Sequence, residues 1–148
     1  MLGRLARWLR VLGFDTAYDA ALDDPELVAR AEAEDRVLLT RDRRLLRELR
    51  PTAALEIRSD VPLEQLRQVV EVLALAPPGA LFTRCLLCND VLADVPDAER
   101  NTLLPERARD LPGAVRRCPR CGRVYWHGSH ARRMGRAVAR ALPDWLET

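Results

Sequence analysis

The chain has 148 residues with 24 basic and 22 acidic side chains, a formal net charge of only +2, and fits one ordinary domain or a compact domain joined to a small module. Every basic residue is Arg, which excludes chemistry that depends on lysine, such as Schiff-base catalysis or a phosphate-loop lysine. No signal peptide opens the chain and no apolar run approaches transmembrane length, so the expected setting is cytoplasmic, away from membranes and with reduced thiols.

Leu2, Leu5, Leu9 and Leu12 recur at helical spacing among Arg4, Arg7 and Arg10, which predicts an amphipathic helix over residues 2–12 ended by Gly13. Phe14 to Tyr18 reads as a short strand. Asp23-Asp24-Pro25-Glu26 then opens a helix with Asp24 as N-cap and Pro25 at its first position. Residues 36–40 form a nearly all-apolar run suited to a strand buried on both faces of a parallel sheet. A helix follows over about residues 42–49, stopped by Pro51, then a strand over 54–58 and a helix over 62–75. The alternation implies an α/β domain with a parallel sheet over residues 1–79, closed by Pro77-Pro78-Gly79.

Residues 80–148 read as a second module. Its four cysteines, Cys85, Cys88, Cys118 and Cys121, form two C-x-x-C knuckles separated by residues 89–117, the spacing of one four-thiolate zinc site whose insert folds as a hairpin. Two disulfides or a redox dithiol are the competing readings. The first needs an oxidising compartment, and the second is usually a single motif. A final helix over about residues 130–142 has Ser129 as a candidate cap.

Charge is divided unevenly between the two parts. Residues 1–83 carry 12 Arg against 14 acids, residues 84–148 carry 12 Arg against 8, and between Arg107 and Arg140 ten Arg face the single acid Asp110. Such a stretch is either a nucleic-acid footprint or a solvated face.

Asp42 directly follows the apolar strand, at the carboxyl end where open α/β sheets build their sites, and Asp24 lies near the same edge if the preceding strand is parallel. Two converging carboxylates suit Mg²⁺ or Mn²⁺ and the positioning of a water and a phosphate. The alternative is that each carboxylate only caps a helix.

Leu5-Ala-Arg-Trp-Leu-Arg10, Gly13-Phe-Asp15, Asp24-Pro-Glu-Leu27, Leu38-Leu-Thr-Arg-Asp42, Arg84-Cys-Leu-Leu-Cys-Asn89, Cys121-Gly-Arg-Val-Tyr-Trp126 and Gly128-Ser-His130 occur in this order. The series closely resembles the Mut-seven C-terminal RNase family. That resemblance implies a PIN-like three-layer domain followed by a small zinc ribbon and a C-terminal helix, and a metal-dependent, RNA-directed nuclease activity. Asp42 matches the acid of the family's Thr-x-Asp motif and Asp24 the acid opening the preceding helix. The family also has a first strand ending in Asp before its Met-Leu-Gly helix. Because this sequence opens at Met1-Leu-Gly3, the expectation is that this strand and its acid are lacking.

Asp15 and Asp19 are weaker candidates to supplement the acids. Tyr125 and Trp126 follow the second knuckle and suit either stacking on RNA bases or packing of the ribbon. Of the two histidines, His127 and His130, neither is needed as a zinc ligand beside four cysteines. His130 is placed with Arg116, Arg117, Arg120, Arg123, Arg132 and Arg133 as a nucleic-acid contact. The sequence therefore supports a metal-dependent ribonuclease with structural zinc. A non-catalytic zinc-ribbon nucleic-acid adaptor is the alternative, and a scaffold whose basic helix docks an acidic protein is a third.

Overall fold

The computed structural model describes residues 2–145. The chain divides into two compact units, one of Met1–Leu5 with Tyr18–Leu75, the other of Ala6–Ala17 with Ala76–Thr148. The first helix, α1 (Gly3–Val11), contributes residues to both. Its leucine stripe is buried at Leu5 and Leu9, and Leu12 beyond its end is buried too. Gly13 ends it at φ +88, where the left-handed backbone lets Phe14 N–H donate to Leu9 O at 3.0 Å.

In the first unit, α2 (Asp24–Ala33) is capped by Asp23 rather than Asp24. Asp23 Oδ1 accepts from Glu26 N–H at 2.9 Å and Glu26 Oε2 accepts from Asp23 N–H at 3.4 Å, a reciprocal capping box that needs an acid three residues after the cap. Strand β1 (Leu38–Thr40), helix α3 (Arg43–Leu49), strand β2 (Ala54–Glu56) and helix α4 (Pro62–Val72) follow. β1 and β2 pair in parallel with Leu39 opposite Leu55. The core between α2, β1 and α3 is Ala31, Leu38 and Leu45, with Leu27, Val28 and Leu46 against it.

The parallel sheet has two strands. On α4, Gln68 explains why β2 takes no strand there: its Nε2 donates to Glu56 O at 2.7 Å and its Oε1 accepts from Arg58 N–H at 3.0 Å. One side-chain amide thus satisfies the ladder groups a third strand would have used. Buried Gln65, one turn earlier, donates to Ser59 O at 2.8 Å and holds the turn into α4.

The strand expected at Phe14 to Tyr18 does not form. The polar groups of this segment go elsewhere: Thr16 N–H donates to Asn89 Oδ1 at 2.9 Å, and Thr16 O accepts from Arg10 Nε at 3.0 Å. Residues 6–17 belong to the second unit, so the apolar spacing at Phe14 serves packing there; its ring meets Trp145 edge-on, 6.3 Å between centroids.

The second unit holds an antiparallel sheet in the order β3 (Ala93–Asp94), β4 (Arg116–Arg117), β5 (Val124–Tyr125). The expected hairpin between the knuckles is elaborated by α5 (Asp97–Leu103) and a 3₁₀ turn (Glu106–Ala108) between β3 and β4. These pack a small core of Leu104, Ala108 and Val115 with Val95, Leu111, Val124 and Trp126. Helix α6 (Ser129–Ala141) follows, with Gly128 at its N-cap and Ser129 inside the first turn, so Ser129 does not cap it.

Candidate metal centre and cationic cleft

The two C-x-x-C segments fold as near copies. In the first, Asn89 N–H donates to Cys85 O and Cys85 N–H to Asp90 O, both at 2.9 Å; in the second, Gly122 N–H donates to Cys118 O and Cys118 N–H to Arg123 O, again at 2.9 Å. Each loop turns on a left-handed residue after its second cysteine, Asn89 at φ 68 and Gly122 at φ 77. Asn and Gly are the residues that adopt this conformation at least cost. Each loop also aims an N–H at its first sulfur, Cys88 N–H at Cys85 Sγ (3.4 Å) and Cys121 N–H at Cys118 Sγ (3.5 Å).

The result is four Sγ atoms within 4.8 Å of one another. Cys85 Sγ and Cys121 Sγ are 3.7 Å apart. A tetrahedron with Zn–S bonds of about 2.3 Å has edges of about 3.8 Å, so the donor set fits a structural metal such as zinc. Proton bookkeeping points the same way. Burial pushes the Cys85 thiol up, but hydrogen bonds with Tyr125 Oη and from Cys88 and Leu87 N–H outweigh it and bring the group to about 7. Cys88 is pushed up to about 12, by desolvation first, then by hydrogen bonding with Cys121 and the charge at Cys85. Four crowded thiols cannot all ionise alone, and a divalent ion removes that conflict.

The surroundings hold the first knuckle. Tyr125 Oη lies 3.2 Å from Cys85 Sγ and accepts from Leu86 N–H at 2.9 Å. Its hydroxyl pKa is raised, by burial and then by the bond to Cys85, so it stays a donor toward the sulfur. Arg10, only 7% exposed, donates from Nη1 to Leu86 O at 2.8 Å, and its charge faces Cys85 and Cys88. Burial lowers its pKa. Arg84 bridges Gly13 O and Asn89 O at 3.0 and 2.8 Å. Asn89 Nδ2 donates to Asp15 Oδ1 at 2.7 Å, which gives Asp15 a partner at the knuckle. Nothing in the sequence sets Arg10 apart from Arg4 and Arg7. Asn89 carried a signal: it occupies the position that Gly122 takes in the second knuckle.

Beside the ribbon, a cleft of about 1000 Å³ opens between the 80–86 segment, the 107–116 segment, β5 and the start of α6. Of the nine residues expected at a nucleic-acid interface, six line it: Arg116, Arg123, Tyr125, Trp126, His130 and Arg132. Arg117, Arg120 and Arg133 are exposed outside that lining, and Arg120 pairs with Asp90 at 3.1 Å. Arg107 and His127 also line the cleft, and among the described residues no Asp or Glu does.

The two expected catalytic acids lie in the first unit. Asp42 is the N-cap of α3, its Oδ1 accepting from Arg44 N–H (2.9 Å) and Leu45 N–H (3.2 Å). Thr40 Oγ1 accepts from Asp42 N–H at 3.0 Å, so the Thr-x-Asp segment is a side-chain-stabilised turn from β1 into α3. Asp42 Oδ2 has no partner among the described residues. Asp24 is exposed and, with Asp23 capping α2, its carboxylate is also without a partner there. Asp19 Oδ1 accepts from Ala21 N–H at 2.9 Å, a local turn. Among the described residues the one group of three or more potential ligands is the four cysteines, and neither Asp24 nor Asp42 belongs to such a group. No helix among the described residues is long and apolar enough to cross a membrane.

The family model described as Mut7-C RNAse domain matches residues 1–138. No curated protein and no solved structure matches the chain.

Proposed function

The chain belongs to the Mut7-C RNAse domain family, and from that premise we propose that it is a metal-dependent ribonuclease of the cytoplasm, with a PIN-like three-layer domain over residues 1–79 and an RNA-binding zinc ribbon over 80–148. The match across residues 1–138 is the observation that carries this reading. In it, Cys85, Cys88, Cys118 and Cys121 hold structural zinc, and Arg116, Arg123, Arg132 and His130 contact RNA phosphates without reading sequence. Arg117, Arg120 and Arg133 extend that surface, and Tyr125 and Trp126 supply its aromatic faces.

Asp24 and Asp42 are the acids of the proposed catalytic site. Mg²⁺ is commonly held by one or two carboxylates, with water and substrate phosphate completing its shell, and the free Asp24 carboxylate and Asp42 Oδ2 are donors of that kind. Such an ion would supply charge stabilisation and an activated water for phosphodiester hydrolysis. The chain's own contribution is rigidity: the Thr40 turn and the α3 cap fix Asp42 at the carboxyl end of β1.

Hydrolysis of single-stranded RNA with Mn²⁺ or Mg²⁺, compared between wild type and Asp42→Asn, tests the proposal. Product formation that depends on the added metal and falls at least about a hundredfold in the variant supports it. Equal hydrolysis by both proteins removes Asp42 from the chemistry. The adaptor reading has its own observation, the engagement of Asp42 Oδ1 as a cap, with neither Asp42 nor Asp24 in a group of three or more potential ligands among the described residues. It predicts salt-sensitive RNA binding and no hydrolysis by either protein.

A further inference from the structure

The cleft beside the ribbon has a composition that a phosphate-tracking groove alone does not need. Cations stand at its rim: Arg107, Arg123 and Arg132 are exposed and line the cleft, and their guanidinium groups make no ion pair or hydrogen bond among the described residues. Arg116 is already engaged, with Asp94 at 3.5 Å and Phe82 O at 3.3 Å. The inner walls are apolar, built from Phe82, Ala108, Leu111, Val124 and the half-buried Trp126. A duplex presents phosphates and keeps its bases stacked inside, so it would cover the rim and leave these walls empty. An unpaired nucleotide presents both a phosphate and a flat apolar face.

The walls are also pinned in place. Arg100 donates from Nη1 to Gly113 O at 3.0 Å and from Nη2 to Leu111 O, which fastens the 111–113 loop to α5. Tyr125 Oη holds Leu86 N–H, and Arg116 holds Phe82 O. Two glycines make room for rings. A Cβ at Gly128 would lie 2.7 Å from Trp126 Nε1, and one at Gly113, where φ is +105, would lie 3.1 Å from the His127 side chain. Trp126 and His127 can therefore lie close against backbone where they line the cleft. A volume of about 1000 Å³ is at the upper end of small-ligand pockets, roughly 300–1,000 Å³, enough for an extruded nucleotide and part of its neighbour.

We infer that this cleft selects unpaired nucleotides: it takes the base of a single-stranded RNA against Trp126 and the apolar walls while Arg107, Arg123 and Arg132 hold the flanking phosphates. This deepens the ribonuclease reading by naming single-stranded RNA as the substrate class, and it rests on RNA being the ligand. Affinity then has two separable parts, one from bases and insensitive to salt, one from phosphates and screened by it.

The test is fluorescence-anisotropy binding by the full-length, zinc-loaded protein without added Mg²⁺ or Mn²⁺. Three labelled probes of one length are compared: a single-stranded oligouridylate, the same strand carrying abasic riboses, and a blunt RNA duplex. The expected order is single strand tightest, with the abasic strand about tenfold to hundredfold weaker, and the duplex no better than the abasic strand. Trp126→Ala should bring the intact strand to the abasic level and leave abasic binding unchanged. Arg123→Gln with Arg132→Gln, both exposed, should weaken both single strands and reduce the slope of log affinity against log salt by about 1.4.

Equal binding of intact and abasic strands by the wild type overturns the inference, whatever the folding of the Trp126 variant. Duplex binding as tight as single-strand binding overturns it too. Either result leaves the ribonuclease reading standing if metal-dependent hydrolysis still requires Asp42. Conversely, single-strand selectivity without hydrolysis keeps the cleft and removes the catalytic assignment.

Discussion

Asp42 has a cap role and a proposed catalytic role that substitutions can separate. As N-cap it accepts two backbone N–H groups, a role Asn performs nearly as well, whereas Ala costs about 1 kcal/mol. Asp42→Asn should therefore melt within a degree or two of wild type while losing hydrolysis, and Asp42→Ala should lose both; urea unfolding beside the RNA assay reads the two. An unstable Asn variant would mean that its lost activity says nothing about chemistry. At the second knuckle, Gly122 sits at φ 77, where a Cβ costs about 1–2 kcal/mol. Gly122→Ala should lower the midpoint of thermal unfolding by several degrees and weaken metal retention in a chelator competition; an unchanged midpoint would show that the left-handed turn is not needed. The cysteine cluster and the Asp42 cap were legible in the sequence because each depends on local spacing. Arg10 and Arg100 were not, because both act through carbonyls far away in the chain, at Leu86 and Leu111, that no local pattern announces.

The amphipathic helices were read well, since 3.6-residue periodicity is a property of the segment itself, whereas the short α5 inside the expected hairpin was missed. α4 at Pro62–Val72 and α6 at Ser129–Ala141 lie close to their expected limits. Strands depend on partners, and this explains the one that failed. Phe14 to Tyr18 has strand-like residues, but Arg10 and Asn89 take its backbone groups. The cap of α2 moved by one residue, to Asp23, because the capping box requires Glu26 three positions on. The ribbon elements are two-residue strands that bury little by themselves, so a metal held by the four cysteines would supply much of their stability. Removing zinc with a strong chelator should abolish amide-exchange protection at Cys85, Asn89, Cys118 and Gly122 and leave that of α4 largely intact. Protection that survives demetallation at all four amides would refute the clamp.

At the scale of the molecule, the basic half recognised by charge counting acquires a definite form. Nine of the ten Arg in that stretch are exposed, and six of the nine expected contact residues, three of them Arg, line one cleft. Arg107, which opens the Arg-rich stretch, lines the cleft as well, outside that set of nine. The sequence placed binding and chemistry in different parts of the chain, and the structure keeps the cysteines and the cleft in one compact unit and Asp24 and Asp42 in the other. That separation is the core of the functional account, and single-turnover cleavage of labelled single-stranded RNA, with protein in excess and Mn²⁺ present, tests it most directly. Asp42→Asn should bind RNA like wild type but cleave the bound strand at least about a hundredfold more slowly, while Arg123→Gln with Arg132→Gln should bind weakly yet cleave at the wild-type rate once saturated. Cleavage of saturating RNA by Asp42→Asn at the wild-type rate would contradict it.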